Sequence, residues 1–164
     1  MNRQAWNVKL INKNHGKWLT LTELPEEALR AVIIYSFGGV EQWADLCPQD
    51  IVDALETLKE RFGKKRFGLA EIPMADAKKY LIGFMPKEEI GRDWSTFDEY
   101  HQWYITAGGG GLGFDKRLVK HLKQWPVILS GYDDEFIQDG WHRFHSYVMQ
   151  NRKTIPVLLY PRTT

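Results

Sequence analysis

The sequence has little cysteine, no long apolar run and almost no net charge. Cys47 is the single cysteine among 164 residues, which excludes an internal disulfide bond and a zinc site built from cysteines. No segment approaches the roughly 18 apolar residues that cross a membrane, and the first residues have no signal-peptide core, so we expect a soluble cytoplasmic protein without a membrane partner. Lys and Arg number 22 and Asp and Glu 21, so nucleic-acid binding would require a local basic patch.

The first part of the chain, residues 1–66, is predicted to be a β-hairpin followed by helices. Its start has β-like runs on either side of turn-forming residues, and the helix-like segments that follow are bounded by proline, acidic residues and glycine. The predicted strands span 6–11 and 17–22, and the predicted helices span 25–37, 40–46 and 50–62. With the basic residues that follow, Lys64, Lys65 and Arg66, these helices have the layout of a winged helix with a basic wing.

The second part, residues 67–164, alternates strand-like and helix-like segments. The predicted strands span 67–73, 125–130, 134–138 and 154–160, and the predicted helices span 96–105, 116–124 and 141–150. Phe97, Tyr100 and Tyr104 share one face of their helix, which favours a core contact over a ligand platform. Pro156 has no N–H, so we expect its strand at a sheet edge or paired on one side at that point.

Two segments between these elements carry unusual compositions. Gly108 to Gly111 are four consecutive glycines, which cost backbone entropy on ordering and favour a mobile lid or hinge. No Gly-Lys-Ser/Thr follows them, so they are not a P-loop. The helix after Asp115 is the most basic element, for which a solvated face is the favoured interpretation and a phosphate footprint the alternative. Its cations are Lys116, Arg117, Lys120 and Lys123.

The segment 138–147 (QDGWHRFHSY) carries the main functional signal. It follows a β-like run and begins a helix-like one, and Gly140 allows a sharp turn with close approach of a ligand to the backbone. Free amide N–H groups, His142 and Arg143 would then surround the start of a helix, where the helix dipole also favours negative charge. The sequence therefore predicts a phosphate site. His142 and His145 alone are too weak a pattern for a metal site, and none is predicted.

Several motifs together resemble the ParB/sulfiredoxin superfamily over residues of about 67–162. The resemblance is carried by an "IP" strand, a helix leading to a "PI" strand, a Gly-x-His-Arg turn and a last strand. The matching segments are 71–74 (EIPM), 114–122 (FDKRLVKHL), 125–128 (WPVI), 139–143 (DGWHR) and 154–157 (TIPV). The resemblance implies an α+β fold, with a small mixed β-sheet and flanking helices, after the hairpin and helical N-terminal region.

The resemblance also implies a nucleotide site in the turn. Members of this superfamily hydrolyse CTP as DNA clamps, reduce sulfinic acids with ATP, phosphorylate free serine, or are labelled ParB-like nucleases. The implied ligand is a nucleoside triphosphate, ATP or CTP, with Mg²⁺. Gly140, Trp141, His142 and Arg143 would bind its phosphates. Glu71, Asp76 and Asp139 would act as base or metal ligand. Trp141 stands where sulfiredoxins have their cysteine, so sulfinic acid reduction is not expected.

Two classes of function remain open from the sequence. In the first, the protein is a nucleotide-dependent phosphohydrolase, phosphotransferase, nuclease-like enzyme or switch. In the second, it is a DNA-binding or protein-binding accessory module, for example of a plasmid or phage, that does not turn over nucleotide. DNA would then contact the basic patches at 64–66 and 116–123, although Asp50, Asp53 and Glu56 on the helix 50–62 would repel its phosphates.

Overall fold

A computed structural model describes residues 3–37, 48–83, 96–108, 125–131 and 137–161. Its helices are α1 (Arg3–Lys13), α2 (Glu26–Phe37), α3 (Pro48–Phe62), α4 (Met74–Gly83), α5 (Phe97–Trp103) and α6 (Trp141–Met149). A short 3-10 helix spans Leu21–Glu23, and a π-helical turn, Tyr104–Gly108, extends α5. The strands are β1 (Lys17–Leu19), β2 (Phe67–Pro73), β3 (Val127–Leu129), β4 (Ile137–Asp139) and β5 (Thr154–Leu159). None of the described helices is long and apolar enough to cross a membrane.

The strands form one mixed sheet in the order β1-β2-β5-β3-β4, so the predicted α+β fold with a mixed sheet and flanking helices is confirmed at that level. β5 is a central strand, antiparallel to β2 and parallel to β3. Pro156 pairs with Glu71 of β2, whereas the pairing with β3 begins at Val157. The edge-strand alternative for this segment is therefore wrong and the one-sided alternative is confirmed, because the missing N–H falls where β3 has not yet begun.

The predicted N-terminal hairpin is wrong, because residues 3–13 form helix α1. Asn7, Leu10 and Ile11 are all buried, and their i, i+3, i+4 spacing is that of one helix face. Because the buried face includes the polar residue Asn7, the sequence alternates there as a half-buried strand does. The side-chain amide of Asn7 donates to the carbonyl of Ser130 at 2.8 Å, which satisfies it inside the protein. β1 pairs with β2 instead of with the 6–11 segment.

Most other predicted elements are confirmed, with shifted ends. Helices α2, α3 and α6 and strand β2 lie at or close to their predicted positions, and the segment 17–22 is a three-residue strand followed by the 3-10 turn. The predicted helices 40–46 and 116–124, with the four cations of the latter, lie outside the described residues. So do Gly109 to Gly111 of the glycine run.

Helices cover both faces of the sheet, and each face has its own apolar cluster. The α2 face packs α2 and α3 against alternate residues of the strands, such as Phe67, Ile128 and Leu158. The α6 face packs α1, α4, α5 and α6 against the intervening residues, such as Ile72 and Val157. Residues 1–66 and 67–164, which the sequence analysis separates, thus contribute to one sheet and to both apolar clusters.

Candidate functional site

The candidate site is the turn between β4 and α6. Gly140 has φ 92° and ψ 26°, a left-handed conformation that favours glycine, and it precedes the first residue of α6. The first backbone bond of the helix runs from the N–H of Phe144 to the carbonyl of Gly140, at 2.8 Å. The N–H groups of Trp141, His142 and Arg143 therefore have no partner within the helix, and they face outward from its positive end.

Arg143 folds back over Gly140. A Cβ added at residue 140 would lie 2.7 Å from Nη2 of Arg143 and 3.0 Å from its Nε and Cζ. A real Cβ does not come as close as 2.7 Å, so a side chain at position 140 would push the guanidinium aside. Glycine is favoured at this position for two reasons. Its backbone angle favours glycine, and its bare Cα leaves the room in which the guanidinium lies.

The guanidinium of Arg143 is buried and incompletely paired. The residue is 2% exposed, and its Nε and Nη2 have no hydrogen-bond partner among the described residues. These two nitrogens form one edge of the guanidinium, the edge that can hold two oxygens of a phosphate or carboxylate at once. Asp139 is the nearby anion, with its Oδ2 3.7 Å from Nη2, beyond hydrogen-bonding distance. Burial lowers the pKa of Arg143, and the charge of Asp139 opposes that shift.

His142 is half-buried beside this turn and contacts the π-helical segment. Its Nδ1 lies 3.0 Å from the hydroxyl of Tyr104. Burial lowers the pKa of His142, while the negative charge of Asp139 partly opposes that effect. Burial likewise raises the pKa of Tyr104, with a further contribution from Asp139, so the phenol keeps its proton. The neutral ring of His142 and the phenol of Tyr104 therefore lie together near one carboxylate.

His145, one turn further along α6, sits in an aromatic stack. Its ring is fully buried and lies 3.7 Å from that of Tyr104, centroid to centroid, nearly parallel to it. Its Nδ1 is 2.7 Å from Nδ1 of His101, so one ring donates and the other accepts. Burial lowers the pKa of His145 to about 2, with smaller contributions from His101 and His142. His145 thus stays neutral and links α5 to α6 structurally.

The structure places the predicted site residues unequally. Five of them, Asp139 to Arg143, are consecutive across the turn. Four of these five contact one another or Tyr104. Trp141 is half-buried and packs against the apolar cluster of the α6 face.

Glu71 and Asp76, the other two predicted catalytic carboxylates, lie elsewhere. Asp76 pairs with Lys13 at 3.4 Å. Glu71 is exposed on β2, where it lines an open groove of about 580 Å³ together with Arg152 and the start of α2. Their catalytic roles stay predictions.

Sequence reasoning missed two members of the site. Tyr104 packs against the apolar cluster as expected, and its hydroxyl also contacts His142. His101 was not singled out, although it lies four residues after Phe97 and one after Tyr100, on the same helix face. The buried face of α5 indeed includes Phe97, Tyr100 and His101. A polar residue inside an aromatic stripe was the available signal.

The structure shows how the predicted basic wing connects to its neighbours and one of its contacts. Lys64, Lys65 and Arg66 connect α3 to β2, and Nη1 of Arg66 donates to the carbonyl of Trp18 at 3.4 Å. On α3, Leu58 and Phe62 are buried against the sheet, while Asp50, Asp53 and Glu56 are exposed. The exposed face of α3 therefore presents acidic side chains.

Comparisons of the chain with models of known protein families, with curated proteins and with solved structures return no match. The ParB/sulfiredoxin resemblance therefore stays a prediction from sequence motifs.

Proposed function

We propose that this protein binds the phosphate groups of a nucleoside triphosphate at the start of α6. The observation that carries the proposal is the buried guanidinium of Arg143, whose Nε and Nη2 edge has no partner among the described residues. Asp139 offsets the charge from 3.7 Å but accepts no hydrogen bond from these two nitrogens, and leaving the donors of a buried charged group without acceptors costs free energy. A bound oxyanion would offset that cost by accepting two charge-assisted hydrogen bonds.

The backbone around Arg143 supports the same ligand. Three N–H groups without intrahelical partners and the positive end of the helix dipole converge on the turn where Arg143 lies. Gly140 has no side chain, and this leaves the room in which the guanidinium lies against the turn. Oxyanions with several acceptor oxygens, such as phosphates, match this set of donors better than a single carboxylate does.

A nucleotide is proposed over inorganic phosphate because of the motif order. Strand, helix, strand, hairpin, Gly-x-His-Arg turn, helix and strand follow one another as in the ParB/sulfiredoxin superfamily, whose fold we propose for the C-terminal part. ATP or CTP is the proposed ligand. Asp139 is the carboxylate placed beside the guanidinium, so it would accept the proton of a water or hydroxyl that attacks the terminal phosphorus, as the bond to the leaving phosphate breaks. Mg²⁺ would arrive on the phosphates, since it binds through one or two carboxylates plus phosphate oxygens.

The test compares the thermal stability of wild type, Arg143→Met and Arg30→Met in ATP, CTP, GTP and UTP with magnesium. Methionine fills a similar volume without a buried charge, so Arg143→Met is expected to fold. Arg30→Met is the matched control, because Arg30 pairs with Glu26 on α2, away from the site. A nucleotide at about 100 times its Kd should stabilise wild type and the control by about 2.7 kcal/mol, and Arg143→Met by nothing.

Two results would overturn the proposal. One is the absence of stabilisation of wild type by all four nucleotides, confirmed by calorimetric titration at 25 °C. The other is equal binding by wild type and Arg143→Met. Salt-sensitive DNA binding that is indifferent to nucleotide would favour the accessory-module alternative instead.

A further inference from the structure

The charges of the described side chains around the proposed phosphate site do not balance an anionic nucleotide. Arg143 contributes one positive charge and Asp139, 3.7 Å away, one negative charge. His142 is neutral in the free protein, since burial lowers its pKa. The described side chains at the turn therefore sum to zero, and the magnesium complex of a nucleoside triphosphate, which stays negative overall, would leave a net negative charge in a poorly solvated place. Such a charge is costly unless a proton or a cation joins it.

His142 is placed to supply that proton because of its partner. Nδ1 of His142 lies 3.0 Å from the hydroxyl of Tyr104. A hydroxyl both donates and accepts. It donates to Nδ1 when the ring is neutral, and it rotates to accept from Nδ1–H when the ring is protonated. A backbone carbonyl or amide in the same place would serve one of the two states.

His145 shows the opposite arrangement on the same helix. Its Nδ1 faces Nδ1 of His101, and its Nε2 has no partner among the described residues. The ring is fully buried, so a second proton would have no acceptor and no solvent near it. The contrast between two histidines one turn apart, in burial and in partner, singles out His142 as the one that can change protonation state.

We infer that nucleotide binding at this site, which rests on the function proposed above, is coupled to uptake of a proton by His142, with Tyr104 as the hydroxyl partner in both states. The groups that face His142 agree with this direction. Asp139 at the end of β4 favours the protonated ring, Arg143 and the neutral His145 belong to its own helix, and Tyr104 comes from the π-helical segment. A bound phosphate adds negative charge beside the ring and favours its protonation further.

The sign of the pH dependence follows from linkage. In the free protein the pKa of His142 is lowered by burial, and the negative charge of a bound phosphate would raise it. Affinity is therefore greatest at acidic pH and falls as pH rises between these two pKa values. The fall is at most about ten-fold per pH unit for one proton. Above the pKa of the complex the affinity no longer changes for this reason.

The experiment is calorimetric titration of wild type, His142→Gln and Tyr104→Phe with the magnesium complex of ATP, or of CTP if that gives the larger thermal shift. Titrations at pH 7 in buffers of different ionisation enthalpy give the number of protons taken up. Magnesium-bound phosphates stay deprotonated at this pH, so the protons counted belong to the protein. Nitrogen-15 spectra of the histidine rings in wild type report the protonation of His142 directly, without any substitution.

We expect about one proton taken up by wild type when the pKa of the complex lies above 7, and none by His142→Gln. Tyr104→Phe keeps the aromatic packing but loses the hydroxyl, so its proton uptake and its pH dependence between pH 6 and 8 should both shrink. Binding by wild type without proton uptake, or unchanged uptake in His142→Gln, would overturn the inference and leave the proposed function standing. Absence of binding by wild type would overturn both.

Discussion

The two faces of the sheet bury different chemistry. On the α2 face, the cluster around Leu58, Phe62 and Phe67 is apolar, and none of the described buried polar residues belongs to α2 or α3. On the α6 face, buried polar side chains stand beside an equally apolar cluster. They are Asn7, His101, Arg143, His145 and Ser146. The sheet thus separates a face that buries an apolar cluster from a face that buries both apolar and polar side chains.

The difference agrees with the site proposed at the start of α6. Buried polar groups cost free energy unless they are paired, so a face that retains several must pair them or use them. Asn7 and His101 are paired, with Ser130 and His145. Arg143 keeps two nitrogens without a partner among the described residues. A fold stabilised by apolar burial on one face can tolerate such a group on the other.

The largest expected effect on stability comes from a substitution in the apolar cluster of the α2 face. Phe62→Ala removes a ring that is 2% exposed and packs edge-on against Phe67 and Tyr160, with centroids at 5.1 Å and 5.0 Å. We expect a loss of about 3–5 kcal/mol in the free energy of unfolding, measured with urea. Phe37→Ala is the control, since Phe37 is 45% exposed on α2 and should change little. Nucleotide affinity of the folded protein should be unchanged, and a parallel loss of affinity would mean that the faces are not independent.

The second prediction concerns the α6 face, where a single methyl group is added at Gly140. Gly140→Ala and Gly63→Ala each place alanine at positive φ, 92° and 52°, which costs about 1–2 kcal/mol. At Gly63 nothing lies within 4 Å of the added carbon, whereas at Gly140 it meets the guanidinium of Arg143. We therefore expect both variants to lose stability by thermal denaturation, but only Gly140→Ala to lose nucleotide binding. Equal nucleotide affinity in the two variants would show that the guanidinium is not held at the site as described.

The contrast between these glycines also shows what the sequence could predict. The turn was found because its glycine, histidine and arginine lie within four residues, 140–143. Helix α2 was found from the proline, acidic residues and glycines at its ends, and helix α3 because its apolar residues recur at helical spacing. The burial of Arg143 was not predictable, because it depends on how the sheet and helices pack around the turn. The contacts of His142 with Tyr104 and of His145 with His101 join residues 38 and 44 positions apart. Helix α1 was missed because a buried asparagine interrupts its apolar face.

The third prediction concerns His145 on the α6 face and the pH dependence of the free energy of unfolding. Burial lowers the pKa of His145 to about 2, against about 6.5 in an unfolded chain. Above pH 6.5 neither state is protonated and the stability is full. As pH falls below 6.5 the unfolded chain binds a proton that the native protein does not, so the free energy of unfolding decreases by up to about 1.4 kcal/mol per pH unit.

His145→Phe keeps a ring against Tyr104 and removes this titration. We expect urea denaturation at pH 7.5, 6.0 and 5.0 to give a shallower loss of stability with acid in the variant than in wild type. His101, whose pKa burial also lowers, should leave part of the slope in place. If the free energy of unfolding fell equally with acid in the two proteins, His145 would be protonated in the native state. Its neutral pairing with His101 would then be wrong.

The smallest expected effect concerns a carboxylate that the sequence analysis placed in the site. Asp76→Asn removes a pair with Lys13 at 3.4 Å, in which the lysine side chain is 67% exposed. Exposed pairs contribute less than about 1 kcal/mol, so stability should hardly change. Nucleotide affinity and any turnover should also persist, whereas Asp139→Asn should alter both, because Asp139 lies beside the guanidinium of Arg143. Loss of turnover in Asp76→Asn, measured as phosphate release, would restore its predicted catalytic role and extend the site from the α6 turn to the start of α4.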